Sequence, residues 1–171
     1  MSGRVHRVEP GPGQESVWDY PRPPSLQRSA RHIVISLGGE TIVDVQDGWR
    51  VCETSHPPVY YVDRRHFAPG SLIHGGGGSY CEFKGDATYW HVCGGGVRRD
   101  DAGWSYEDPT GAFGPLCGAV AVYPGQMDEV LLDGEPATLL SYGPLSRRVA
   151  VAISCADGRP AVRARTVLDL R

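Results

Sequence analysis

A mainly β, antiparallel fold is what this sequence predicts, and three observations carry the prediction. From residue 31 onward, short runs rich in β-branched and aromatic residues alternate apolar with polar positions. Gly-Gly and Asp-Gly dipeptides stand between such runs, where tight hairpin turns need residues that tolerate positive φ. Helical periodicity is scarce: RRHF (64–67) and GAFGPL (111–116) offer one or two turns each. The expected architecture is a single compact antiparallel sheet, curled or partly closed as a barrel, with one or two short helices.

The elements follow in order. Residues 1–14 are polar and rich in Gly and Pro, and are expected to be a disordered arm preceding one β-rich domain, 15–171. ESVWDYPRPP (15–24) places Trp18 and Tyr20 before three prolines, which favours extended or polyproline backbone, with the aromatics available to pin the arm. HIVISL and ETIVDV flank Gly38-Gly39 and read as a hairpin, and VYYVD (59–63) reads as a strand. GDATYWHVC and VRRD form a second hairpin around Gly94–Gly96, and VLLDGEPATLL (130–140) a third around Asp-Gly. RVAVAIS (148–154) and AVRARTVLDL (161–170) alternate and are expected to pair across CADGRP. The glycine runs 75–78 and 94–96 read as flexible loops, since neither fits a phosphate-cradling motif.

The chain of 171 residues, 40% apolar with a net charge of −3, is that of a globular protein with no basic run for nucleic acid. No apolar run reaches the roughly 20 residues of a membrane span. The N-terminus has no apolar segment of a secretory signal, so a cytoplasmic location is expected. Five widely spaced cysteines show no CxxC pattern, so no metal site is expected, and the cysteines read as buried apolar residues, Cys81 least clearly.

One compositional fact is sharper. There are 16 arginines, one lysine and no asparagine, a bias that points to a GC-rich bacterial genome. Lys84 escaped that bias. Arginine is a planar fork that stays charged, whereas lysine is a slim amine whose pKa burial can lower. Position 84 therefore reads as one that requires an amine, with chance survival as the competing explanation.

Three segments concentrate polar and aromatic groups. CETSHPPVYY (52–61) supplies Glu53, Tyr60 and Tyr61, the two tyrosines pointing to opposite faces of a strand. YCEFKGDATYW (80–90) supplies Cys81, Lys84 and Tyr89, with Cys81 and Lys84 on different faces unless Gly85 interrupts the strand. WSYEDP and AVYPGQMDEV add Trp104, Tyr106, Tyr123 and Asp128. Lys84, Glu53 and Tyr61 are the candidate catalytic residues: amine or electrostatic anchor, base, and hydrogen-bond donor. A structural ion pair between Glu53 and Lys84, and half-buried sheet packing of each tyrosine, are the alternatives. Tyr60, Cys81, Tyr89, Trp104, Tyr106, Tyr123 and Asp128 are the candidate substrate-binding residues, Asp128 reading more readily as a turn cap.

ESVWDYPRPP, GGETI, ETSHPPVYY, SYCEFKGDATYW, AGWSYEDP and VYPGQMDEVLLDGE, taken in order, resemble the bacterial domain-of-unknown-function family numbered 427, often labelled nucleotidyltransferase-like. The resemblance spans about 15–136 and implies a compact β domain of the β-tent type. Many β-tent relatives bind zinc through paired CxxC motifs, which this chain lacks. The C-terminal part, 137–171, departs from the family's Gly/aromatic ending. The nucleotidyltransferase label implies magnesium-holding carboxylates and a triphosphate cradle, and neither pattern is legible.

The expected function is that of a small enzyme without metal or cofactor. It would act on an organic metabolite by acid/base or amine chemistry (cyclisation, isomerisation or elimination), with specialised-metabolite biosynthesis as the expected setting. The alternatives are a non-catalytic small-molecule-binding module and nucleotide transfer. A small molecule is the expected partner, and the alternating C-terminal strands offer an edge for a homodimer.

Overall fold

The computed structural model describes residues 15–137, 147–151 and 165–169. They belong to two compact units. The larger comprises Leu26–Val51 and Val59–Thr138; the smaller draws on Met1–Ser25, Cys52–Pro58 and Leu139–Arg171.

The larger unit is mainly β. Seven strands form one open sheet: β1 (Ser25–Ser29), β4 (Gly48–Cys52), β5 (Val59–Asp63), β9 (Ala119–Val122), β8 (Val97–Tyr106), β7 (Gly85–Gly94) and β6 (Leu72–Cys81), in that spatial order. It is not closed into a barrel. A second sheet has the order β11 (Glu135–Pro136), β10 (Glu129–Leu132), β2 (Ile33–Leu37) and β3 (Glu40–Val45). The fold is thus mainly β and antiparallel as predicted, divided between two sheets.

The hairpins stand where the turn dipeptides placed them. Gly38-Gly39 joins β2 to β3, Gly95-Gly96 joins β7 to β8, and Asp133-Gly134 joins β10 to β11, all with positive φ. That is the backbone of the type I′ turn, whose twist matches the strands it connects. Two of these turns touch. A Cβ on Gly95 would fall 1.8 Å from the Gly38 carbonyl oxygen, so only glycine allows the contact. Asp128 fixes the same corner by accepting a hydrogen bond from the Gly39 amide at 2.9 Å.

The glycine run 75–78 is not a loop. It lies inside β6, at a break in register between His74 and Gly78. A Cβ on Gly75 would fall 2.6 Å from Asp101 Oδ1 and 2.8 Å from the Tyr89 carbonyl, so glycine is needed for close packing, not for mobility.

Short 3₁₀ turns at Arg64–His66 and Gly111–Leu116 match the two helical expectations, and a further one covers Pro124–Gln126. In the smaller unit, Val17–Asp19 also forms a 3₁₀ turn, capped by the Ser16 side chain, where extended backbone was expected. Polyproline geometry is forced only from the prolines onward. This arm is held by the Ser55 amide to the Val17 carbonyl (2.9 Å) and by the Thr54 hydroxyl to the Tyr20 carbonyl (2.6 Å). β12 (Arg147–Val151) pairs antiparallel with β13 (Arg165–Asp169), as the alternation predicted; the connecting CADGRP lies outside the described residues.

Candidate functional site

The two faces of the seven-stranded sheet differ. Across β7, β8 and β9 the register sets Ala87 opposite Tyr106, Tyr89 opposite Trp104, and Trp104 opposite Ala121. Cross-strand partners share a face, so aromatics and alanines alternate there. Tyr61 of β5 joins them, and one buried cluster unites Tyr61, Tyr106, Ala87, Ala119 and Ala121 with Phe113 and Leu116 of the 3₁₀ turn. The alanines leave room for large rings beside them. Tyr61 meets Trp104 edge to face at 6.1 Å and Tyr106 at 6.4 Å, and Trp104 lies 4.5 Å from Tyr123. Such ring pairs contribute beyond their area, on the order of 1 kcal/mol each.

Polar tips are threaded through this face. The Trp104 indole N–H donates to the Tyr61 hydroxyl oxygen at 3.1 Å. The Tyr89 hydroxyl donates to Ser79 at 3.0 Å. Burial pushes the Tyr61 phenol far above its ordinary range, and burial followed by the neighbouring Tyr61 and Cys81 does the same to Tyr106. Both stay neutral phenols at any physiological pH.

Lys84 enters at the edge of this cluster. Glu82, Phe83 and Lys84 form the turn between β6 and β7, and Gly85, with φ of +95°, starts the return strand. The turn interrupts strict strand alternation at Lys84. The Lys84 side chain is buried, 6% exposed, with its ammonium 5.7 Å from the Tyr106 ring centroid and 5.6 Å from that of Phe113. That is cation–π distance. The Thr110 amide and hydroxyl bind the turn through the carbonyls of Lys84 and Phe83, which anchors the 3₁₀ segment carrying Phe113.

Cys81 ends β6, half-buried and packed against the aromatic cluster. Burial raises the thiol's pKa, but the backbone N–H groups of Phe83 and Lys84 and the Lys84 charge outweigh it, and the thiol lies below its ordinary value.

Of the ten residues singled out in the sequence, seven stand in this one network: Tyr61, Cys81, Lys84, Tyr89, Trp104, Tyr106 and Tyr123. Three stand elsewhere. Asp128 caps the Gly38-Gly39 turn. Tyr60 lies on β5 next to Tyr61, opposite Arg50 in register, and so points to the other side of the sheet. Glu53 belongs to the smaller unit, where its carboxylate stands 4.0 Å from Arg22. Sequence reasoning missed Phe113, because nothing in GAFGPL signals that its ring covers a lysine. It also missed a chain of polar contacts on the opposite face. There the Trp90 indole donates to Ser105 (2.8 Å), Ser105 to Glu107 (2.6 Å), and Arg64 to Glu107 (2.9 Å) while lying over the Trp90 ring.

The family can now be stated. A family model described as a domain of unknown function, DUF427, matches residues 25–133. The chain belongs to the DUF427 family. The match covers β1 to the β10–β11 turn, and so contains the whole aromatic face, Cys81 and Lys84. No curated protein matches the chain. Among the described residues, no helix is long and apolar enough to cross a membrane.

Proposed function

We propose that this DUF427 protein is a small enzyme that acts on an organic metabolite by acid/base chemistry of the isomerisation or elimination type, with Lys84 as the proton-transferring amine. The observation that carries this reading is the burial of the Lys84 ammonium beside the rings of Tyr106 and Phe113. Placing a charge there costs several kcal/mol before compensation, and a structural role would be met more cheaply by an apolar side chain. A titratable side chain buried beside aromatic walls is a usual ingredient of a reaction site.

Tyr106 and Tyr61 serve as neutral hydrogen-bonding groups behind the lysine, and Tyr89, Trp104 and Tyr123 as the apolar wall for a planar or cyclic metabolite. Glu53 is assigned no step, because the contact its carboxylate makes within its own unit, with Arg22, is an ion pair. The binding-module reading draws on the same aromatic wall and differs only in leaving the ligand unchanged.

The experiment is an untargeted metabolite comparison. Purified protein and its Lys84→Arg variant are incubated with a small-molecule extract and followed by mass spectrometry and chromatography. The expected result is one compound lost and an isomer or elimination product gained in equal amount with the wild type alone. The same conversion at full rate with Lys84→Arg would remove the lysine from the reaction. Tight but reversible capture of an unchanged compound would favour the binding module.

A further inference from the structure

Two strand irregularities meet at His91. The register of β7 against β8 breaks between Trp90 and Val92, so that Asp100, Asp101 and Ala102 stand opposite His91 alone. The register of β6 against β7 breaks between His74 and Gly78, so that Gly75, Gly76 and Gly77 stand opposite Tyr89 alone. The two bulges interlock. Asp101 Oδ1 lies 2.6 Å from where a Cβ on Gly75 would fall, and the Tyr89 ring lies 3.1 Å from the same position on Gly77. On the other side, the Ala102 carbonyl accepts the Tyr123 amide at 2.9 Å. The β8 bulge thus adjoins both the glycine run under Tyr89 and the backbone of Tyr123, two members of the aromatic face.

Nδ1 of His91 has two kinds of neighbour at the same range. The Asp101 backbone N–H donates to it at 3.1 Å, while the Asp100 carboxylate stands at 3.1 Å and that of Asp101 at 3.6 Å. A ring nitrogen accepts through its lone pair or donates through its proton, never both. Without a proton, Nδ1 takes the amide hydrogen bond and the ring hydrogen sits on Nε2. With a proton, Nδ1 presents its own hydrogen to the amide's, loses that bond, and turns to the carboxylates. The His91 side chain is only 15% exposed, so water does not simply replace either partner.

The other groups around the ring do not compete for Nδ1. From β6 come Ile73, its partner in register, and His74, whose ring meets that of Trp90 edge to face. From β8, Arg98 is bonded to Asp100 Oδ1 at 2.7 Å, and Arg99 donates to the Gln126 carbonyl at 3.3 Å. Asp101 itself has φ of +49°, a left-handed backbone that costs a non-glycine residue and persists only where its surroundings fix it. Its amide bond to His91 is one of the contacts that fix it.

We infer that His91 is a proton-operated latch on the β8 bulge. The neutral ring holds the Asp101 amide and closes the bulge against the glycine run. The protonated ring gives up the amide for the Asp100 carboxylate and releases the bulge. Acid therefore loosens the part of the aromatic face where Tyr89 and Tyr123 stand, and return to neutral pH restores it.

The test is an NMR titration of the full chain labelled with nitrogen-15, from pH 8 to pH 5, the range in which imidazole changes charge. The His91 ring nitrogens report tautomer and charge, and solvent exchange of the Asp101 amide, corrected for the intrinsic effect of pH, reports the latch. At pH 8 the ring is expected to have a bare Nδ1 and its hydrogen on Nε2. As the ring takes its second proton, the Asp101 amide should lose about tenfold in protection, the worth of one hydrogen bond. The Gly75 and Tyr123 amide signals should shift with the same midpoint. In His91→Gln, whose side-chain oxygen accepts the same N–H but does not titrate, the step should vanish. A neutral ring with its hydrogen on Nδ1 would overturn the inference. So would a ring that stays neutral down to pH 5, an amide whose protection is unchanged while the ring titrates, or a step that survives in His91→Gln.

Discussion

The ammonium of Lys84 stands 5.7 Å from the ring centroid of Tyr106, with only 6% of the residue exposed. The turn formed by residues 82–84, followed by Gly85 with φ of +95°, carries the side chain there. It sets one buried cation against a wall of neutral phenols and indoles.

Replacing that cation should separate folding from chemistry. Lys84→Met puts a similar volume between Tyr106 and Phe113 without a charge to bury, so denaturant midpoints are expected to match or exceed the wild type, by up to about 2 kcal/mol. Loss of more than that would mean that the ammonium is primarily structural.

Alkaline titration reads the phenols. Tyr61 and Tyr106 have folded-state pKa values raised above the ordinary 10.0. They favour the folded state fully below pH 10 and lose that contribution as pH climbs toward their folded values. Phenolate absorbance is therefore expected to leave at least two tyrosines neutral until the chain unfolds, and Tyr61→Phe and Tyr106→Phe should each remove one of them. Complete ionisation of all tyrosines in the folded protein would contradict the arrangement.

The Trp104–Tyr61 hydrogen bond has its own signature. Tyr61 is 1% exposed, and Tyr61→Phe leaves the indole N–H without this acceptor, at an expected cost of about 1–3 kcal/mol in urea unfolding. Trp104→Phe in the same background should cost less than it does alone. Equal costs in both backgrounds would mean that the two residues are uncoupled.

The glycine corner offers a packing test. Gly39→Ala meets open space and is expected to cost only the positive-φ strain, about 1–2 kcal/mol. Gly95→Ala brings a methyl against the Gly38 carbonyl and should cost clearly more in thermal or urea unfolding. Similar costs would mean that the two turns do not pack together.

Much of this was legible in the residues. The three glycine-bearing turn dipeptides named their hairpins because few residues adopt the backbone those turns require. The composition singled out Lys84, and the aromatic segments around it converge because β5, β7, β8 and β9 are neighbours in one sheet. What stayed hidden was set by tertiary packing. The run Gly75–Gly78 reads as a loop until Tyr89 and Asp101 are seen to need its space. Phe113 reads as part of a minor helical turn. The burial of Lys84 depends on where one strand breaks, which alternation alone does not mark.

The most direct measurement is the titration of the Cys81 thiol itself, followed by carbon NMR of β-carbon-labelled cysteine in the wild type and in Lys84→Met. The account predicts a Cys81 midpoint below the ordinary 9.0 in the wild type, with an upward shift in the variant. A Cys81 that titrates in the ordinary range in both proteins would contradict it.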